Sequence, residues 1–200
     1  MKNLKMVFMP LVVAMISFIF LSGCTTNNAA INSNQDNFDQ VTSADPDDTW
    51  TYKLRGLAYL AQDDFDRAMA DFNEAIRLDP NDADAYKLRG VVHSIQGDSD
   101  RAIADLNDAI RLDPNKADAY IARGSVYIEQ GDSDRAITDF NEAIRLDPND
   151  VQAYGHRGTA FFNQGDYEKA LSDFESVLRI DPENTTTNEW LERTRQVLGM

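Results

Sequence analysis

Small and apolar positions of this chain recur with a period of 34 residues from residue 49 onward. Three columns keep one phase, at Gly56, Gly90, Gly124 and Gly158, at Ala68, Ala102, Ala136 and Ala170, and at Pro80, Pro114, Pro148 and Pro182. Two bulky columns lie four residues from them, at Tyr52, Tyr86, Tyr120 and Tyr154 and at Phe72, Leu106, Phe140 and Phe174. A fixed period of this length marks a repeat architecture. The pattern therefore predicts four units, over residues 49–82, 83–116, 117–150 and 151–184.

Each unit has the pattern of two antiparallel helices. A spacing of four stacks side chains on one helix face, and a glycine facing an alanine lets two helices approach closely. Between the helices, Gly97-Asp98 and its equivalents offer a left-handed residue that ends one helix and an aspartate that caps the next. In the first unit the pair is Asp63-Asp64, so that turn either accepts aspartate in the left-handed conformation or takes another form. A Leu-Asp-Pro or Ile-Asp-Pro sequence ends each second helix, because proline cannot extend it.

This pattern resembles the tetratricopeptide repeat (TPR), whose unit is a helix, a tight turn and an antiparallel second helix. The resemblance implies an all-α fold, a TPR solenoid of four helix-turn-helix repeats. Beyond the fourth unit, Trp190, Leu191, Val197 and Leu198 have helical spacing. Residues 185–200 are therefore predicted to form a C-terminal capping helix, since the last repeat of a solenoid otherwise exposes an apolar face.

An arginine stands just before each repeat glycine, where the TPR pattern has leucine. An aspartate on the second helix recurs with equal regularity, which gives the pairs Arg55 and Asp71, Arg89 and Asp105, Arg123 and Asp139, and Arg157 and Asp173. We predict that each arginine pairs with the aspartate of its own unit, across the two helices. The alternative is a row of arginines that binds a carboxylate of a ligand, and the matching aspartates make it less favoured.

The TPR resemblance also implies a concave groove, lined mainly by the first helices, that binds segments of other proteins. The matching positions are Trp50, Lys53, Leu57 and Leu60, then Asp84, Lys87, Val91 and Ser94, then Asp118, Ile121, Ser125 and Ile128, then Gln152, Thr159 and Phe162. The alternative role of the apolar members is packing between neighbouring repeats. Leu57 and Val91 replace the asparagines of the basic clamp that some TPR proteins use for a carboxylate-terminated chaperone tail, so this class of partner is excluded.

The first 24 residues have the layout of a bacterial lipoprotein signal. Lys2 and Lys5 precede an apolar stretch that ends in small residues before Cys24, as in a secretory signal peptide. Residues 21–24 (LSGC) resemble the lipobox, in which the cysteine thiol receives diacylglycerol, the signal is cut before it, and the new amino terminus is acylated, for example with palmitate. The prediction is a signal peptide over residues 1–23 and a lipidated cysteine with a flexible acidic tether over residues 24–48. The alternative is an uncleaved signal anchor with an incidental cysteine.

A lipidated Cys24 implies export and a lipid anchor on a bacterial cell membrane. Thr25 follows the cysteine where the enterobacterial pattern for inner-membrane retention has aspartate, so in a cell with two membranes we expect the periplasmic face of the outer membrane. Without residues 1–23, which carry two lysines and no acid, the net charge is -17. Such a body repels anionic headgroups, so acyl chains provide the attachment.

Composition limits the chemistry further. The net charge of -15 opposes binding to nucleic acid, and one cysteine with two histidines is too little for a zinc, haem or iron-sulfur site, so no metal or cofactor is expected. His93 and His156 have no matching cysteine or serine nucleophile nearby in the repeat frame. They are predicted to be structural or surface residues, and the chain is predicted not to be an enzyme.

The sequence thus favours an envelope lipoprotein that acts as a TPR adaptor or scaffold for other envelope proteins or peptide segments. Similar TPR lipoproteins serve as scaffolds for cell-wall hydrolases and proteases, in outer-membrane protein assembly and in pilus assembly. Two alternatives stay open. One is an envelope enzyme, or its regulatory subunit, with an acidic surface for a cationic substrate, and the other is a structural protein that self-associates. The oligomeric state stays open as well.

Overall fold

The computed structural model describes residues 48–200, which form α-helices and no strand. The predicted signal peptide, Cys24 and the tether up to residue 47 lie outside this range. Within it, the chain divides into two compact units, the first ending at Pro80 and the second spanning Asn81–Met200. The prediction of an all-α fold is confirmed.

The first unit is one helix-turn-helix repeat. Its helices are α1 (Thr49–Leu60) and α2 (Phe65–Leu78). Asp63 in the turn has a φ of 57°, so this turn accepts aspartate in the left-handed conformation. Asp64 caps α2, since its carboxylate accepts a hydrogen bond of 3.2 Å from the backbone N–H of Arg67. Gly56 faces the fully buried ring of Phe72, and an added Cβ would lie 2.5 Å from that ring.

The second unit contains three further repeats and one additional helix. Its helices are α3 (Ala83–Ile95), α4 (Ser99–Leu112), α5 (Ala117–Glu129), α6 (Ser133–Leu146), α7 (Val151–Gln164), α8 (Tyr167–Ile180) and α9 (Thr185–Leu198). Gly97, Gly131 and Gly165 lie in the turns with φ between 79° and 81°, where only glycine is free of strain. The aspartate after each of these glycines caps the second helix of its repeat.

In the second unit the helices pack in chain order. Each first helix packs on its own second helix, each second helix packs on the next first helix, and the first helices α3, α5 and α7 also contact one another in turn. Leu106, Phe140 and Phe174 are at most 1% exposed and fill the space beside the repeat glycines. Burial of side chains of this size contributes about 1.5–3 kcal/mol each, so one large residue per repeat holds each helix pair together.

Helix α9 occupies the position of a fifth first helix. Its Trp190 packs on Phe174 with ring centroids 6.1 Å apart, and Leu191 is buried in the same cluster. At the positions of the repeat tyrosine and glycine, where a second helix would pack, α9 has the exposed polar residues Asn188 and Glu192. The helix therefore covers the apolar end of repeat four and presents a polar face to solvent.

Candidate functional site

The structure places each of the four arginines against the aspartate of its own repeat. In every case Nε donates to Oδ2 at 2.8–2.9 Å and Nη2 donates to Oδ1 at 2.7 Å. The aspartates are only 4–6% exposed. Hydrogen bonding to the aspartate raises the pKa of each guanidinium. Because both carboxylate oxygens bind the same side chain, the arginines are held in a bidentate geometry and do not form a row open to a ligand carboxylate.

A second partner of these arginines lies in the preceding repeat of the second unit, and sequence reasoning missed it. Arg123 donates from Nη1 to Oδ1 of Asn107 at 2.5 Å, and Arg157 donates likewise to Asn141 at 2.6 Å. The signal was in the sequence, because asparagine recurs at this position except in the fourth repeat, which has Glu175. That is the repeat followed by α9, which has leucine instead of the arginine.

The first helices of the second unit form the surface to which the TPR groove positions map. We define the first-helix surface as the outward residues of α3, α5 and α7. Lys87 links two of these helices by an ion pair with Asp118, and its Nζ also lies 3.4 Å from Asp84 on its own helix. Lys116, just before α5, lies 3.1 Å from Asp84. This end of the surface is therefore an array of paired charges.

Most of the remaining groove candidates are accessible, but two are not. Val91, Ser125, Ile128, Thr159 and Gln152 are half-buried, as are Lys53 and Leu57 of the first unit, where Trp50 is 67% exposed. The structure corrects the prediction for two residues, since Leu60 is 5% and Ile121 is 3% exposed. Ile121 belongs to the hydrophobic cluster around Phe140, so it completes the packing that the sequence analysis gave as the alternative.

Phe162 lies at the covered end of the first-helix surface. Its ring contacts Trp190 of α9 edge-on, with centroids 5.4 Å apart, and contacts Tyr167 at 5.1 Å. The guanidinium of Arg193 lies 5.2 Å from the same ring. The accessible part of the surface is therefore the part around Val91 and Ser125.

At the opposite ends of the first helices, the groove candidate Ser94 contacts Glu129, which was not predicted as a site residue. The hydroxyl of Ser94 donates to the Glu129 carboxylate at 3.3 Å, which joins α3 to α5. Next to them, Ile95 is 38% exposed. Although Glu129 is an exposed residue, desolvation of its carboxyl raises its pKa. Sequence spacing gave no signal for Glu129, since the equivalent positions of the other three repeats hold alanine, isoleucine and asparagine.

Both histidines lie in packed surroundings. His156 stacks on the buried ring of Phe140, with centroids 5.6 Å apart, and burial lowers the pKa of His156 to about 4. His93 has Nε2 3.8 Å from the carboxylate of Asp105, which already binds Arg89. Neither histidine is paired with a nucleophile in the structure's contacts.

The described residues contain neither a candidate metal cluster nor a candidate membrane span. Between residues 48 and 200, no three histidine, cysteine, aspartate or glutamate side chains come together as a group that could hold a metal ion. Over the same stretch, each helix is too short or too polar to serve as a membrane span.

The comparisons with known proteins agree on one family. Two tetratricopeptide repeat models match, one over residues 54–126 and the other over residues 121–185. A search of curated proteins gives no match. Among solved structures, the first TPR of Spaghetti (RPAP3) bound to the HSP90 peptide SRMEEVD is 30% identical, with a TM-score of 0.58, and the match covers 59% of this chain and 94% of that one.

Two other solved structures extend the similarity. The crystal structure of MamA is 25% identical with a TM-score of 0.65, over 82% of this chain and 99% of that one. The TPR domain of Arabidopsis OM64 is 27% identical with a TM-score of 0.56, over 57% of this chain and 94% of that one. Taken with the helix-turn-helix repeats and their packing, these matches show that the chain belongs to the tetratricopeptide repeat family.

Proposed function

We propose that this chain is a protein-interaction adaptor that binds a peptide or protein segment on the first-helix surface of its second unit. The observation that carries the proposal is that this surface is left open. In residues 81–200 each helix packs on its chain neighbours, and the first helices pack side by side. Within these residues no helix therefore covers Val91, Ser125 and Thr159. These side chains are half-buried and small, which leaves room for a segment of another chain.

A relative supports the use of this fold for peptide binding. The first TPR of Spaghetti (RPAP3) was solved with an HSP90 peptide, and recognition of extended or helical segments in a groove is a recurring use of helical scaffolds. We do not propose a carboxylate-terminated chaperone tail as the partner of this chain. Leu57 and Val91 occupy the positions at which the TPR proteins that bind such tails have the asparagines of their basic clamp. The partners we propose are other envelope proteins or peptide segments of them.

We propose further that the adaptor is a bacterial lipoprotein held at a membrane through Cys24. The support is the sequence of residues 1–24, with its basic start, apolar stretch and LSGC tetrad. The acidic body would then stand off the membrane, at the periplasmic face of the outer membrane in a cell that has two. In this proposal the chain has no catalytic role, which agrees with the packed positions of His93 and His156.

Site-specific photo-crosslinking tests the interaction surface. A photoreactive amino acid is placed at Val91, Ser125 or Thr159 in the full chain, in cells, and at Ala104 or Ser172 as controls on the exposed faces of second helices. We expect discrete crosslinked species from the first set and none from the second. Crosslinks from the control positions alone would place the partner elsewhere and refute the proposed surface.

Metabolic labelling with an alkyne fatty acid tests the anchor. The wild-type chain should incorporate the label and lose residues 1–23, whereas Cys24→Ala should do neither. A wild-type chain that sediments with membranes but is unlabelled and retains residues 1–23 would instead indicate an uncleaved signal anchor. The crosslinking experiment and the labelling experiment are independent, so either half of the proposal can fail alone.

A further inference from the structure

One edge of the second unit carries two repeat-related depressions. They lie beside the turns that join the helices within repeats two and three, and both are shallow and wide open to solvent. Gln130 lines both, so the two depressions adjoin each other. We call this region the turn edge and define it as residues 94–100, 128–135, 163 and 164. Shallow depressions that repeat along an edge can receive side chains of a bound segment.

The turn edge has an excess of negative charge with a regular origin. In repeats two and three, an aspartate caps the second helix and pairs with an arginine, as Asp98 does with Arg101 at 3.0 Å, and a second aspartate lies two residues later in the first turn of that helix. The second aspartate has no such partner. Among residues 48–200, Asp100 and Asp134 have no lysine or arginine within ion-pair distance, and Asp134 accepts only a 2.7 Å hydrogen bond from the Gln164 amide.

Glu129 adds a carboxylate of a different kind beside these depressions. Its hydrogen-bond partner is the neutral hydroxyl of Ser94, and no cationic side chain of the described residues pairs with it. Ile95 and Ile128 flank this hydrogen bond in sequence, the first exposed and the second half-buried. A carboxylate that is hydrogen-bonded only to a neutral hydroxyl can still pair with a cation, and apolar side chains nearby favour a cation that arrives with its own apolar neighbours.

We propose that the turn edge binds a lysine- or arginine-bearing segment of a partner protein, with a cationic side chain against Glu129 and apolar side chains on Ile95 and Ile128. This inference rests on the proposed function and names the chemical class of the bound segment. Further cations of the segment would lie in the depressions near Asp100 and Asp134. A metal ion is a poorer fit to this edge, because the described acids do not converge as a ligand group.

Binding of three fluorescent peptides to the full chain in non-ionic detergent tests the inference. The peptides share the same leucines and differ only in having lysine, glutamine or glutamate at the remaining positions, and detergent alone serves as the blank. We expect the lysine peptide to bind at least about tenfold more tightly than the glutamine peptide, with an affinity that falls as salt rises. Glu129→Gln, which retains a hydrogen-bond acceptor for Ser94, should lower the affinity for the lysine peptide by about tenfold. The matched control Glu175→Gln, on the exposed face of α8, should leave its affinity unchanged.

Each other outcome overturns the inference, and the outcomes separate it from the proposed function. Equal binding of the lysine and glutamine peptides, or equal effects of Glu129→Gln and Glu175→Gln, would exclude the turn edge as a cation site. If the glutamine or glutamate peptide binds best and Ser125→Arg abolishes that binding, the adaptor function stands with a different class of partner. If the lysine peptide does not bind at all, the inference fails and the proposed function is judged by the photo-crosslinking alone.

Discussion

Substitution of the repeat glycine at Gly124 probes how closely the two helices of a repeat approach. A Cβ built there lies 2.6, 2.9 and 3.1 Å from three atoms of the Phe140 ring, whereas carbon atoms in contact are ordinarily about 3.5–4.0 Å apart. The ring is fully buried, so it cannot move aside into solvent. Gly124→Ala must therefore displace the ring or separate α5 from α6 by roughly 1 Å, and such overpacking costs about 1–3 kcal/mol.

The chain provides a matched control for this substitution. Gly155 also lies inside a first helix, but a Cβ there would meet only Val177, at an ordinary 3.9 Å. Replacement of glycine by alanine inside a helix is favourable by about 1 kcal/mol, and this gain applies to both positions. We therefore expect Gly155→Ala to raise the free energy of unfolding by about 1 kcal/mol. The free energy of unfolding of Gly124→Ala should be about 1–3 kcal/mol lower than that of Gly155→Ala. The gain in helix propensity is the same in both variants, so it cancels in this difference.

Urea denaturation followed by circular dichroism measures both free energies of unfolding. Phe140→Leu, which copies Leu106 of the second repeat, should recover part of the penalty of Gly124→Ala. The recovery should be incomplete, because a Cβ at Gly90 would still lie 3.0 Å from Leu106 and 3.2 Å from the Ala102 carbonyl oxygen. If Gly124→Ala proves as stable as Gly155→Ala, the close approach of the helices is not what requires glycine, and the reasoning is wrong.

Three further predictions concern the ion pairs, His156 and the first turn. A double-mutant cycle with Arg123→Leu and Asp139→Asn should give a coupling above about 1 kcal/mol, because removal of either partner leaves the other poorly paired in a largely buried site; additive effects would refute the pair. The pKa of His156 is lowered from 6.5 to about 4. The contribution of the neutral imidazole to the free energy of unfolding is therefore complete above pH 6.5 and is lost as the pH falls toward 4. Between pH 7.5 and pH 5 the chain should lose about 2 kcal/mol of stability, and His156→Phe should remove this part of the pH dependence. Asp63→Gly should raise the melting temperature, since Asp63 has a positive φ, while Gly97→Asp should lower it by a comparable amount; two shifts of the same sign would contradict this account.

The lipoprotein signal, the adaptor role and the groove of the TPR family were inferred from sequence, and the structure bears on them unequally. Residues 1–47 lie outside the described range, so the predictions for Cys24 remain predictions. For the groove, the structure shows that some candidates are buried or covered and that a residue outside the candidate list is accessible. Ile121 is in the core, Phe162 is covered by α9, and Glu129, which no motif singled out, stands beside an accessible isoleucine.

The sequence by itself determined the features that depend on neighbours within one repeat. The helix pair, the left-handed turn residue, the aspartate caps and the arginine-aspartate pair are all set by spacings of less than 34 residues, and these spacings recur in each unit. A helical period states which residues share a face, but it does not state how far the next repeat covers that face. Burial of Ile121, coverage of Phe162 by Trp190 and desolvation of Glu129 depend on side chains from adjacent repeats, whose sizes differ from one unit to the next. Only the tertiary structure decided these, because packing between repeats depends on the actual volumes that meet there.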